Sequence, residues 1–128
     1  MNITVKADSS SLKAGSTIYT AALEPIKPIK NGMFSLTLQP YPVSLLQASA
    51  TSGGNSLGLD PSNGPLVSVL LLSYWKNKSD DDDVLSFMTT TLEKIKEEAA
   101  SRDTLVPYVY MNYAFTGQDP IGSYGEEE

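Results

Sequence analysis

The chain has 128 residues, 41% of them hydrophobic and 19% charged, the proportions of one globular domain with a single core. It contains no cysteine and no histidine, which excludes disulfides, thiolate chemistry, Ser-His-Asp triads and the usual ligands of zinc, haem and iron–sulfur centres. A formal charge of −6 argues against nucleic acid and anionic membranes as partners.

Ile3–Lys6 alternates apolar and polar residues, the pattern of a short strand. Asp8-Ser9-Ser10-Ser11 offers helix N-caps, and Leu12, Tyr19, Ala22, Leu23 and Ile26 follow at near-helical spacing. Gly15 weakens that helix; Pro25 and Pro28 end it. Asn31-Gly32 marks a turn, and Met33–Gln39 alternates again until Pro40 and Pro42 close the strand. Val43–Ala50 reads as a short helix, and Thr51–Pro65, rich in Gly, Ser, Asn and Pro, as a long loop of the kind that often carries function. Leu66–Trp75 is apolar on both faces, as a central strand must be. The aspartates Asp80–Asp83 suit a helix N-terminus, and Val84, Met88, Leu92, Ile95 and Ala99 mark the clearest amphipathic helix. Val106–Phe115, dense in aromatics, is predicted as the last strand, and Thr116–Glu128 as a polar tail to a single domain of residues 1–128.

The order β-α-β-β-α-β predicts a ferredoxin-like α+β fold: a four-stranded antiparallel sheet with two helices on one face. Parity then assigns the faces. Phe34, Leu36, Leu38, Ile3, Val5, Val109 and Met111 point to the helices; Ser35, Thr37, Gln39, Thr4, Lys6, Tyr108, Tyr110 and Asn112 point away, joined by Leu70, Leu72 and Tyr74. A bare face of that composition predicts a small-molecule substrate, a partner, or a second copy forming a homodimer.

No acid lies inside any predicted strand, so Tyr110 or Tyr113 is the candidate acid/base, with Lys6 able to steady a tyrosinate or an oxyanion. For any one tyrosine the commoner role is packing on the pleated surface. Substrate-binding candidates are Asn112, Tyr108, Gln39, Thr37, Ser35, Leu70, Leu72, Tyr74 and Trp75; Trp75 suits either the rim of a pocket or a lid over the following helix start. Gly53-Gly54-Asn55 presents backbone N–H groups to a ligand oxygen or is simply a turn; without a following Gly-Lys-Ser/Thr it is no phosphate loop. The aspartate block and Glu126–Glu128 read as solvated charge, since calcium loops alternate ligands with spacers. No apolar run approaches membrane-spanning length, and the first residues lack a charged-then-apolar signal pattern, so the expected location is cytoplasmic.

Several stretches together carry a family resemblance: Phe34–Pro42 (FSLTLQPYP), Gly53–Leu59 (GGNSLGL), the Leu66–Trp75 strand with its acidic helix start, and above all Tyr110–Tyr113 (YMNY) leading to Gln118–Gly125 (QDPIGSYG). Over nearly its whole length the chain resembles the C-terminal, substrate-domain part of fungal berberine-bridge-enzyme-like FAD-linked oxidases. The resemblance implies that Tyr110, Asn112 and Tyr113 line a substrate cavity beneath a flavin-roofing sheet, with Gln39 and its neighbours opposite. The family's FAD-binding domain, with its phosphate loop and flavin-linking histidine, has no counterpart here, so the expectation is no cofactor held by this chain alone and FAD only where a separate flavin domain supplies it. Three readings follow. The first is a flavin-independent cyclase, isomerase or dehydratase of fungal secondary metabolism; the second is a part of a flavin oxidase; the third is a non-catalytic binding or dimerisation module.

Overall fold

The structure is a computed structural model that describes residues 1–54 and 56–124. Its strands are β1 (Asn2–Lys6), β2 (Met33–Tyr41), β3 (Leu66–Tyr74) and β4 (Leu105–Val106); its helices are α1 (Ser9–Ala22), α2 (Val43–Thr51) and α3 (Asp81–Ser101). The strands form one antiparallel sheet in the order β2-β3-β1-β4, the ferredoxin-like order. α1 and α3 cover one face. Among the described residues no helix is long and apolar enough to cross a membrane.

Local chemistry sets these elements. The Asp8 carboxylate caps α1, accepting from the Ser11 N–H at 2.8 Å and from the Ser10 hydroxyl. The Ser10 bond, then those from Ser11, hold its carboxyl below the usual range. Gly15 is buried where α1 crosses α3: a Cβ there would stand 3.4 Å from Ile95 Cγ2, so the residue that weakens the helix also lets the two helices approach. α1 ends at Ala22, and Pro25 sits in a separate 3₁₀ turn, Glu24–Ile26. α3 begins at Asp81 and buries Val84, Phe87, Met88, Thr91, Leu92, Ile95 and Ala99, one stripe at helical spacing. These pack on Ile3, Val5, Val67, Val69 and Leu71 from the sheet. Phe87 ties the helix to β2 and α1 through Phe34 (centroids 5.8 Å, edge-on) and Tyr19 (6.0 Å).

Register confirms the assigned faces for β1, β2 and β3. Thr37 lies opposite Leu70, Gln39 opposite Ser68 and Tyr41 opposite Leu66, with Asn2, Thr4 and Lys6 continuing the same rows on β1. Two corrections concern the far side. First, the last strand is Leu105–Val106, not Val106–Phe115. Pro107 has no N–H for a ladder, and the Tyr108 N–H turns back to the Val106 carbonyl at 2.8 Å, an i→i+2 turn that takes the chain out of the sheet. Met111–Tyr113 is a 3₁₀ turn, and Met111, expected in the core, is exposed. Second, the second sheet face is not bare. α2 and residues 107–124 fold onto half of it, so that Leu46, Leu66, Val106 and Tyr108 form a small second core.

Candidate functional site

The excursion after Val106 leaves the sheet, so its backbone needs other partners, and it finds them in side chains. The Asn2 side chain accepts from the Tyr110 N–H (2.9 Å) and donates to the Tyr110 carbonyl (3.0 Å). The Gln118 side chain does the same for Asn2, accepting from its N–H (3.1 Å) and donating to its carbonyl (2.7 Å). Had β4 continued, Tyr108 would stand where Gln118 does, two residues along from the Thr4–Val106 pair. Two amide side chains thus take the place of a ladder. Val109 N–H donates to Ser123 Oγ at 2.9 Å, and Met111 N–H to the Tyr124 hydroxyl at 3.0 Å.

This clasp brings Tyr108, Tyr110, Tyr113 and Tyr124 together with Tyr41 of β2 over one sheet face. Tyr108 is buried and stacks on Tyr124 with centroids 5.5 Å apart. Burial, and then its tyrosine neighbours, push its phenol far above the usual tyrosine range. Burial also raises Tyr41, with Tyr110, Tyr113 and Tyr124 adding to the effect. Tyr110 meets Tyr113 edge-on at 4.9 Å, and Asn112 Nδ2 donates to the Tyr110 hydroxyl oxygen at 2.7 Å. Because the Tyr110 oxygen accepts that bond, its own hydrogen is free to donate outward.

The candidate residues fall into four groups. Tyr110, Asn112 and Tyr113 come together at the accessible edge of the tyrosine cluster, while Tyr108 is beneath it. Thr37 and Gln39 are exposed and Ser35 is half-buried on the neighbouring β2; Leu70 is buried below them. Leu72 and Tyr74 form an uncovered strip at the far end of β3, with Met33 of β2 paired to Tyr74. The last group stands apart. Trp75 lies on the helix side, packed against the core, and its Nε1 donates to Asp81 at 2.6 Å. Lys6 lies at the opposite end of β1 from Asn2, with its Nζ 4.0 Å from Asp103, and no hydrogen bond joins it to Tyr110 or Tyr113. Gly53 and Gly54 are exposed in a turn with positive φ, whereas Asn55 and Glu126–Glu128 lie outside the described residues.

Residue-by-residue reading missed Asn2, Gln118, Tyr41 and Tyr124. Alternation along Ser35, Thr37 and Gln39 does reach Tyr41, but Pro40 appeared to close the strand. Pro40 in fact sits inside β2, which is the outermost strand of the sheet, where a missing N–H is tolerated.

No protein-family model and no solved structure matches the chain. It is similar to an FAD-dependent monooxygenase of Fusarium proliferatum, 39% identical over 92 residues that make up 72% of this chain and 18% of that protein. An FAD-dependent monooxygenase of Cochliobolus heterostrophus gives the same figures. An oligopeptidase of Diaporthe leptostromiformis is 33% identical over 127 residues, 98% of this chain and 10% of that protein. The chain therefore spans less than a fifth of the length of these relatives. It is a small α+β unit related to a short stretch of fungal FAD-dependent monooxygenases.

Proposed function

We propose that this chain is one wall of the substrate cavity of an FAD-dependent oxidoreductase of the berberine-bridge-enzyme-like type, with the flavin held mainly by a separate unit. The observation that carries this reading is the Tyr110–Asn112–Tyr113 group, clasped by Asn2 and Gln118 next to Tyr41, on the sheet face that also carries exposed Thr37 and Gln39. The similarity to FAD-dependent monooxygenases supports it.

The residues fit one end of the cofactor and not the other. A flat isoalloxazine needs apolar contact and hydrogen-bonding groups at its edges, which Leu72, Tyr74, Thr37 and Gln39 offer. A diphosphate needs an N–H nest or free basic groups, whereas the basic group of this face, Lys6, stands toward Asp103. Bound against this face, FAD would supply the two-electron oxidation. The chain's own part is to bind and orient. Tyr110 donates its free hydrogen to a substrate oxygen, Asn112 fixes that phenol's direction, and the Tyr113 ring holds it edge-on.

The test is a chimera in which this chain replaces its aligned stretch in the Fusarium proliferatum relative. The chimera should retain FAD with quenched flavin fluorescence, and Tyr110→Phe with Tyr113→Phe should relieve the quenching. A folded chimera that keeps FAD, with fluorescence indifferent to both changes, overturns the placement.

A second reading, the flavin-independent cyclase or isomerase acting as a cytoplasmic homodimer, is favoured by the uncovered strip of Met33, Leu72 and Tyr74, which a second copy would bury. Sedimentation of the isolated chain decides it: a monomer at assay concentrations removes its support.

A further inference from the structure

Where β4 stops at Val106, the chain swings out and returns through residues 116–123, leaving a cavity of about 480 Å³ between this excursion, the β1 edge and α3. It opens on the helix side of the sheet edge, away from the accessible tyrosine edge. Its floor is Met1, Ile3, Leu92 and Leu105, and Val109 forms a wall. The volume falls within the range of about 300–1,000 Å³ typical of small-molecule sites.

Two observations narrow the occupant. The backbone groups along the β1 edge and at the start of the excursion already have partners. Asn2 N–H and carbonyl are bonded to Gln118, Tyr108 N–H to Val106, and Val109 N–H to Ser123. An extended peptide laid there would find no ladder to join, which removes the main source of affinity in strand addition. The charges at the mouth are Glu93, Lys96 and Asp119. Glu93 and Lys96 stand 3.8 Å apart and offset one another, and the Met1 ammonium is turned into the sheet, donating to the Leu71 carbonyl at 3.1 Å, which leaves Asp119 and a net negative rim.

We infer that this cavity is a binding site for a neutral, largely apolar small molecule, held by the floor residues and screened from anions by the Asp119 side of the rim. The site shares Tyr108 and Gln118 with the clasp but takes its floor from the helix side of the sheet, and it stands whether or not the flavin reading does.

The experiment uses the whole chain and two fluorogenic probes, neutral N-phenyl-1-naphthylamine and its 8-sulfonate, which differ by one negative charge. The neutral probe should bind saturably at one site, with the sulfonate about tenfold weaker at low ionic strength. Thr89→Trp, from an exposed position on α3, and Val109→Trp should each fill the cavity and abolish binding, while Tyr74→Ser on the opposite face should leave it unchanged. Circular dichroism identifies any variant that fails to fold; Thr89→Trp is the safer of the two. No saturable binding overturns the inference, as does binding that survives a folded Thr89→Trp or is lost in Tyr74→Ser. Equal affinity for the two probes overturns the assignment of a neutral ligand.

Discussion

Asn2→Leu is the substitution that tests the clasp most directly. Asn2 is fully buried, and its side chain makes two hydrogen bonds to the Tyr110 backbone, at 2.9 and 3.0 Å. Leucine keeps the volume and removes both. Each bond contributes about 1 kcal/mol net, and a Tyr110 N–H or carbonyl left partly buried without a partner costs a further ~1–3 kcal/mol. The sum is roughly 3–5 kcal/mol. For a chain of this size that lowers Tm by roughly 12–20 °C. Urea denaturation followed by circular dichroism gives the free energy, and hydrogen exchange gives its location. Protection should fall first at Tyr110 and through residues 107–124, with α3 holding. Gln118→Leu also removes two bonds, those to the N–H and carbonyl of fully buried Asn2, and should cost about as much, roughly 3–5 kcal/mol. If Asn2→Leu costs under ~0.5 kcal/mol, or if exchange rises evenly over the chain, the side-chain amides are not what holds the excursion.

Thr4 and Ser68 face each other across β1 and β3, and both hydroxyls are fully buried with no partner among the described residues. Thr4→Val should therefore stabilise the chain by about 1 kcal/mol, read by denaturation; a loss would show that the hydroxyl is satisfied. Gly15→Ala places its methyl at ordinary contact from Ile95, so it should gain about 0.5–1 kcal/mol from helix propensity, whereas Gly15→Leu should force α1 off α3 and cost roughly 1–3 kcal/mol. Equal effects of the two would refute close helix approach as the reason for Gly15. Tyr108 and Tyr41 have raised folded-state values, so they favour folding fully below the unfolded tyrosine value of about 10, and this contribution is lost as pH rises through the folded values. Tyrosinate absorbance should then rise in two stages, the second coincident with loss of structure; a single stage in the folded protein would refute the burial of Tyr108.

The sheet was legible because its signals are local. Phe34, Leu36 and Leu38 alternate cleanly, Leu66–Trp75 is apolar throughout, and the stripe from Val84 to Ala99 admits one face. The order of elements then left the ferredoxin-like topology as the natural solution. The final strand was misread because Tyr108, Val109, Tyr110 and Met111 have strand-forming side chains, and propensity does not register where their hydrogen bonds go. Pro107 was the available warning. The clasp itself was invisible for a different reason. Asn2 and Gln118 are 116 residues apart, and nothing about either marks it as a substitute for a strand. Trp75 divides from its neighbours by parity alone: Tyr74 faces away from the helices and the next residue must face them. Lys6 and Tyr110 were grouped by face, which says nothing about distance along the strand.

Gln118 returns the chain to the β1 edge after the excursion has left it at Val106. With Tyr108 buried and the Tyr110 backbone bonded to Asn2, residues 111–117 are therefore an insert between two fixed attachment points, Tyr110 and Gln118. The sheet needs only that the chain come back to Asn2, and sets little by how long the detour is or what it carries between its anchors. Such a segment can be shortened, extended or rewritten, by selection or by an engineer, while the scaffold beneath it keeps its register. Specificity grafted between Tyr110 and Gln118 can thus diverge while the core stays as it is, and loop exchange at those two residues is the natural way to redesign it.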